Sequence, residues 1–233
     1  MNDLRIEVHE SAESLHEAAA QRIAALVNQA LTRQPVFSLS LTGGSAPGPV
    51  YELLAREPFR SGVPWQKVRF YFGDERCVPP DSPESNYRLA ADALLDRLPI
   101  DGAQVFRMAS ERPDREAAAD EYAAALPERL DLMLLGLGPD GHLCSLFPGG
   151  PELRETRRRV VPSRSPRPPH ERLSVTRPVI ESAVELIGLV LGERKAEALR
   201  LVLDPRTDPE VAPGRLARRA LWIVDRAAAS RLP

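Results

Sequence analysis

Cysteine is scarce in this chain: two residues in 233, Cys77 and Cys144, each inside a loop-like motif. Two cysteines build no disulfide framework, and neither they nor His9, His16, His142 and His170 fall at metal-ligand spacing. An excess of one charge is missing too, because 31 Lys and Arg face 33 Asp and Glu, a formal charge of −2. That balance lacks the basic footprint of a nucleic-acid-binding domain, and no basic-aromatic interleaving supplies one locally. An anionic ligand must therefore be held by a local cluster. Long apolar runs are absent as well. No stretch approaches the ~20 apolar residues that span a bilayer, and the first residues, MNDLRIEVHE, are charged where a signal peptide would be apolar. The expected setting is the cytoplasm, with neither membrane nor nucleic acid as partner.

What is present suits a folded globular protein. Hydrophobic residues make up 43% and charged residues 27%, enough for a buried core under an ordinary polar surface. The length fits one large α/β domain spanning 1–233.

Apolar periodicity places the elements. Leu4, Ile6 and Val8 alternate as in a short strand, and Ser14 with Glu17 resembles a capping box in the first turns of a helix running to about Gln34. Leu15, Ala19, Ile23, Leu26 and Ala30 recur along it at helical spacing. Further strands are expected at 36–41, 68–72, 132–135, 173–176, 186–191 and 221–224. Helices are expected through Val50–Leu54, Asn86–Leu95, Asp114–Ala125 and Glu193–Leu203. The run Leu132-Met133-Leu134-Leu135 is apolar on both faces, as in a buried parallel strand. The stretch from Arg154 to Glu171, rich in Pro, Arg and Ser, reads as irregular. Alternating strands and helices predict a mainly parallel sheet between helical layers, and the 23 prolines fall mostly between elements.

In such sheets ligands sit beyond the carboxyl ends of the strands, and three motif loops here directly follow predicted strands. Thr42-Gly43-Gly44-Ser45 joins a strand to a helix: its glycines allow close backbone approach, and exposed N–H groups at a helix start attract phosphate. Read alone it is equally a tight turn, and it is not a Walker loop, since no Gly-Lys-Ser/Thr follows. Gly73-Asp74-Glu75-Arg76, with Asn86 beyond it, offers acids and an arginine that bind sugar hydroxyls or form a solvated cluster. Gly136-Leu137-Gly138-Pro139-Asp140-Gly141-His142 sets a histidine among glycines after the most apolar strand. A histidine pKa near about 6.5 suits a general base at neutrality. Arg164, Arg167 and Arg172 supply local positive charge, and a guanidinium grips phosphate through paired hydrogen bonds. A Ser–His–Asp hydrolase would need a G-x-S-x-G elbow, which is absent.

Together these loops resemble the 6-phosphogluconolactonase family. The matching segments are SLTGGSAP (Ser40–Pro47), FGDERCVPPDSPESNYRLA from Phe72, LGLGPDGHLCSLFPG (Leu135–Gly149) and SPRPPHERLSVT (Ser165–Thr176), in the family's order and over nearly the whole chain. The resemblance implies a three-layer α/β/α, modified Rossmann-like fold similar to that of glucosamine-6-phosphate deaminases and ribose-5-phosphate isomerases. It implies hydrolysis of 6-phosphogluconolactone with neither metal nor organic cofactor. It also implies His142 as general base, Asp74 and Arg76 beside the lactone, and Gly43, Gly44 and Ser45 as phosphate loop. Three residues depart from the family pattern: Arg167 replaces a frequent lysine, Cys144 a small residue, and Arg177 an expected apolar one.

On this reading His142 takes a proton from the attacking water, and Asp140 either orients it or shapes the turn. Arg76, with backbone N–H groups, stabilises the oxyanion. The Gly43–Ser45 loop with Arg167 or Arg172 anchors the phosphate. The nearest rival is a deaminase or isomerase of related sugar phosphates, but Phe147 stands where those relatives carry a proton-relaying glutamate. The other rival is a non-enzymatic sugar-phosphate sensor. It would be expected to carry a fused DNA-binding module and a broken motif, whereas Leu4 already begins the first strand and His142 is intact.

Overall fold

A computed structural model describes residues 5–232. Leu4, the first apolar position of the expected strand, lies outside the described residues. The chain begins with β1 (Arg5–His9) and α1 (Ala12–Leu31), followed by β2 (Phe37–Leu41), α2 (Pro47–Leu54) and a single turn, α3 (Phe59–Gly62). Next come β3 (Val68–Phe72), β4 (Asp74–Arg76), α4 (Asn86–Ala93), α5 (Arg115–Ala125) and β5 (Leu132–Gly136). β6 (Val160–Arg164), β7 (Glu171–Val175), α6 (Arg177–Ser182), β8 (Glu185–Val190), α7 (Ala196–Leu203) and β9 (Leu221–Asp225) complete it.

Six strands form one sheet in the order β1-β9-β8-β5-β2-β3, and every pairing in it is parallel. Both faces are covered. Along β5, Leu132 and Leu134 enter one core with Leu15, Ile23, Val50 and Phe70, while Met133 and Leu135 enter the other with Leu186, Leu199 and Trp222. This alternation explains why the strand reads as an unbroken apolar run. Trp222 needs Gly188 beside it, since a Cβ there would lie 2.2 Å from the indole. This is the mainly parallel α/β architecture expected from the sequence. Among the described residues no helix is long and apolar enough to cross a membrane.

Four local expectations are corrected. The first helix is capped at Ser11, not Ser14. Ser11 is extended (φ −139°, ψ 163°), its hydroxyl accepts from the Ser14 N–H, and the Ser14 hydroxyl returns the bond to the Ser11 N–H. That helix ends at Leu31, three residues short of Gln34, whose side chain instead donates to Val36 O and Asp131. The stretch from Arg154 to Glu171 is not irregular throughout. It contains β6, paired antiparallel with β7, and Pro162 is tolerated there because β6 is the edge of a second sheet ordered β4-β7-β6. Arg177 needs no apolar partner, for it lies exposed in the first turn of α6 and pairs with Glu181 at 2.8 Å.

The topology sets up a site. After β3 the chain returns to lay β5 on the other side of β2, so the direction of winding reverses between β2 and β5. Loops leaving these two strands diverge to opposite layers and open a crevice. Their bases touch: a Cβ on Gly136 would lie 3.6 Å from Gly43 O.

Candidate active site

Two adjoining cavities of ≈ 220 and ≈ 210 Å³ open at this crevice and share Asp74, Arg76, Pro139, His142 and Cys144 as a common wall. Combined, they reach the scale of small-ligand sites, roughly 300–1,000 Å³. The Thr42–Ser45 loop and Lys195 line the first. Arg172, Arg167, Ser165 and Asp140 line the second.

The loop after β2 is fixed from below. The Tyr51 hydroxyl, on α2, accepts from the Thr42 N–H (2.9 Å) and donates to Thr42 O (2.8 Å). Tyr122, on α5, treats Phe72 at the end of β3 in the same way, at 2.7 and 3.0 Å. Burial raises the pKa of both phenols, so each serves as a neutral donor and acceptor. Gly44 adopts φ +95°, a backbone that L side chains rarely adopt.

The Asp74-Glu75-Arg76 segment is a short strand, β4, and strand alternation divides its side chains. Glu75 turns away from the cavities. Its two carboxylate oxygens accept from the backbone N–H groups of Arg76, Asn86 and Tyr87 and from the Ser85 hydroxyl, at 2.7–3.0 Å. It thus caps the start of α4, although burial pushes its pKa up against those hydrogen bonds. Asp74 faces the shared wall and is held at both oxygens, by the Ser145 hydroxyl (2.6 Å) and Asn86 Nδ2 (3.2 Å). Arg76 also faces the wall, with one Nη donating to Glu84 O and a buried Nε that has no partner among the described residues.

His142 meets Asp140 at 2.5 Å between Nδ1 and Oδ1. The loop that brings them together runs from Gly138 N–H to His142 O (3.0 Å), with Gly141 at φ +84°. Only glycine fits at 138, because a Cβ there would stand 2.0 Å from His142 Nδ1. Burial raises the Asp140 pKa, but the hydrogen bond and charge of His142 outweigh it and hold the carboxyl below its ordinary value. The imidazole also packs on the Phe147 ring, with centroids 4.7 Å apart and planes tilted 46°.

The three basic-loop arginines separate. Arg164 is exposed and ion-paired to Glu171, outside both cavities. Arg167 lies exposed at the rim of the second, on the hairpin between β6 and β7. Arg172, on β7, is 7% exposed and projects into that cavity. The phosphate loop and the two arginines therefore line adjoining cavities, not one.

Several contributors were not singled out from sequence. Lys195 lines the first cavity at the entry to α7, its pKa lowered by burial and partly restored by Asp225. A signal for it existed, since Gly192-Glu193-Arg194-Lys195 also follows a predicted strand. Ser145, the anchor of Asp74, lies three residues after the histidine, next to Cys144, which the sequence marks as a departure from the family pattern. Cys144 takes φ 52° in the Leu143–Leu146 turn, and burial raises its thiol pKa well above the usual value. Among the described residues, no three His, Cys, Asp or Glu side chains form a group that could hold a metal ion.

Comparison with known proteins places the chain. Residues 10–223 match the sequence model of a family described as glucosamine-6-phosphate isomerases/6-phosphogluconolactonase. The 6-phosphogluconolactonase of Streptomyces coelicolor is 40% identical, over 97% of this chain and 94% of its own length. The human 6-phosphogluconolactonase is 38% identical, over 94% and 88% respectively. Among solved structures, the 6-phosphogluconolactonase of Trypanosoma brucei superposes with a TM-score of 0.85 over 100% of both chains, at 27% identity.

Proposed function

The chain belongs to the glucosamine-6-phosphate isomerase/6-phosphogluconolactonase family, and from that membership we propose that it hydrolyses 6-phospho-D-glucono-1,5-lactone to 6-phospho-D-gluconate. The reaction is the lactone-opening step of the oxidative pentose phosphate pathway. The observation that carries this reading over isomerisation is the contact of His142 with Phe147. Isomerisation and deamination move protons between carbon and oxygen and call for a further acid beside the imidazole. Here that flank is an aromatic ring. Hydrolysis asks only for one base and one oxyanion donor.

The catalytic sequence follows from the dyad. Asp140, ionised, accepts a hydrogen bond from the Nδ1–H of His142, which leaves the Nε2 lone pair free. Nε2 removes a proton from water as the water oxygen bonds to the lactone C1. The carbonyl electron pair moves onto oxygen, where Arg76 stabilises the charge. Collapse of the tetrahedral intermediate breaks the bond from C1 to the ring oxygen, the imidazolium returns its proton to that oxygen as it leaves, and the carboxylic acid formed at C1 releases its proton to solvent to give the carboxylate. Asp74, with its orientation set by Ser145 and Asn86, accepts a sugar hydroxyl. The phosphate occupies the first cavity, against the Gly43–Ser45 loop at the start of α2 and the ammonium of Lys195. Binding energy at that end then orients the reacting carbon. Protein groups and water supply each of these steps without a metal.

The test is hydrolysis of freshly prepared 6-phosphoglucono-δ-lactone, corrected for spontaneous opening, by wild type and His142→Ala. The expected outcome is rapid turnover that falls by at least ~10² in the variant, as for loss of a general base. A folded, phosphate-binding wild type that does not accelerate the reaction overturns the proposal.

A further inference from the structure

Arg172 presents an unusual combination. It is 7% exposed, its Nε is buried without a partner, and no hydrogen bond from its guanidinium is found among the described residues. In the antiparallel pairing of β4 with β7 it stands directly opposite Arg76. Side chains opposite one another share a face of the sheet and lie close together, and like charges so placed destabilise it. Arg76 too keeps a buried Nε without a partner among the described residues. Two adjacent guanidiniums lining one cavity form an unfilled anion site, because a buried cation is costly until something pairs with it.

We propose that Arg172, flanked by Arg76, is a second anion subsite that binds a carboxylate, namely the one generated when the lactone ring opens. This rests on the lactonase reading. Phosphate has its own cradle in the first cavity, built from backbone at a helix start and a lysine. The second cavity instead adjoins the His142–Asp140 pair, where C1 reacts. A carboxylate is planar and matches a guanidinium fork with two parallel hydrogen bonds. The acids lining this cavity are already engaged, Asp74 by Ser145 and Asn86 and Asp140 by His142. The lactone arrives with charge only on its phosphate and leaves with a second charge at C1. The subsite therefore favours the developing oxyanion and the product over the substrate, and makes the product an inhibitor with two anchors.

The experiment compares affinities for 6-phosphogluconate and for glucitol 6-phosphate, which carries CH₂OH in place of the carboxylate. Wild type is expected to prefer 6-phosphogluconate by about 10- to 100-fold, the worth of one charge-assisted pair. Arg172→Met is expected to bring that ratio close to one while glucitol 6-phosphate still binds, which also shows that the variant is folded. Equal wild-type affinities for the two ligands overturn the subsite whether or not the variant folds. So does an Arg172→Met variant that weakens both ligands alike. Failure of wild type to bind either ligand overturns the lactonase reading and the subsite together, and so is distinct from the other two results.

Discussion

Asn86 fills the space that any side chain on residue 43 would need: a Cβ there would stand 1.7 Å from Asn86 Oδ1. The second glycine-rich motif and the first are thus parts of one arrangement. Gly43 leaves room for the amide, and the amide holds both the Asp74 carboxylate and the Asp74 carbonyl. Gly43→Ala is expected to lower stability by about 1–3 kcal/mol, as overpacking does, and to reduce kcat/KM by displacing Asp74. Adding Asn86→Ala removes the clash, so stability of the double variant should exceed the sum of the single effects while activity stays low. Thermal denaturation and lactone turnover across the four-protein cycle test this.

Asp140 sets a pH window. The hydrogen bond and charge of His142 hold its folded pKa below the ordinary value, despite the opposing effect of burial. A carboxylate of this kind binds fewer protons folded than unfolded, so it stabilises the fold above its unfolded pKa of about 3.9 and loses that contribution as pH falls through the depressed folded value. The stability difference between wild type and Asp140→Asn should therefore be steady above about pH 5 and close below about pH 4. At neutral pH the variant should lose kcat more than KM, because the amide no longer fixes the imidazole tautomer. Denaturation curves from about pH 3 to about pH 7, and steady-state kinetics at neutral pH, read the two effects.

Glu75 lines neither cavity of the site, yet its loss should reach it. Each of its oxygens takes two donors, three of the four at the start of α4 and the other the Arg76 N–H on β4. In Glu75→Gln an NH₂ group faces two of those donors, at a cost of about 1–3 kcal/mol for buried groups left unpaired. Asn86 is the first residue of α4, so fraying there loosens Asp74 as well. The expected result is a lower Tm together with a reduced kcat, recoverable in part by Glu75→Asp. Unaltered turnover would mean that Asp74 keeps its orientation without this cap.

Much of this arrangement could be read from sequence because local rules and tertiary context agreed. The run at 132–135 announces a strand covered on both faces, and the glycines at 43, 138 and 141 announce close approach and left-handed backbone. β4 was hidden, because Asp74-Glu75-Arg76 has no apolar rhythm and is a strand only through its pairing with β7. β6 was hidden by Pro162, which an edge position permits. Lys195 sits in a charged turn that looks like any solvated helix start, and only its place beside the crevice half-buries it. The separation of Arg164, Arg167 and Arg172 depends on where a hairpin bends, which composition does not encode.

The paired tyrosines tie the mouth of the site to the body of the molecule. Tyr51 reaches Thr42 from the helical layer on one side of the sheet, and Tyr122 reaches Phe72 from the layer on the other. The carboxyl ends of two neighbouring strands are thereby gripped from both sides by side chains rooted in separate cores. Neither end can splay without drawing a phenol out of its core, so no small local opening exposes those amides. The N–H groups of Thr42 and Phe72 should accordingly exchange with solvent deuterium as slowly as the innermost strands, on the timescale of global unfolding, although both lie at the edge of an open crevice.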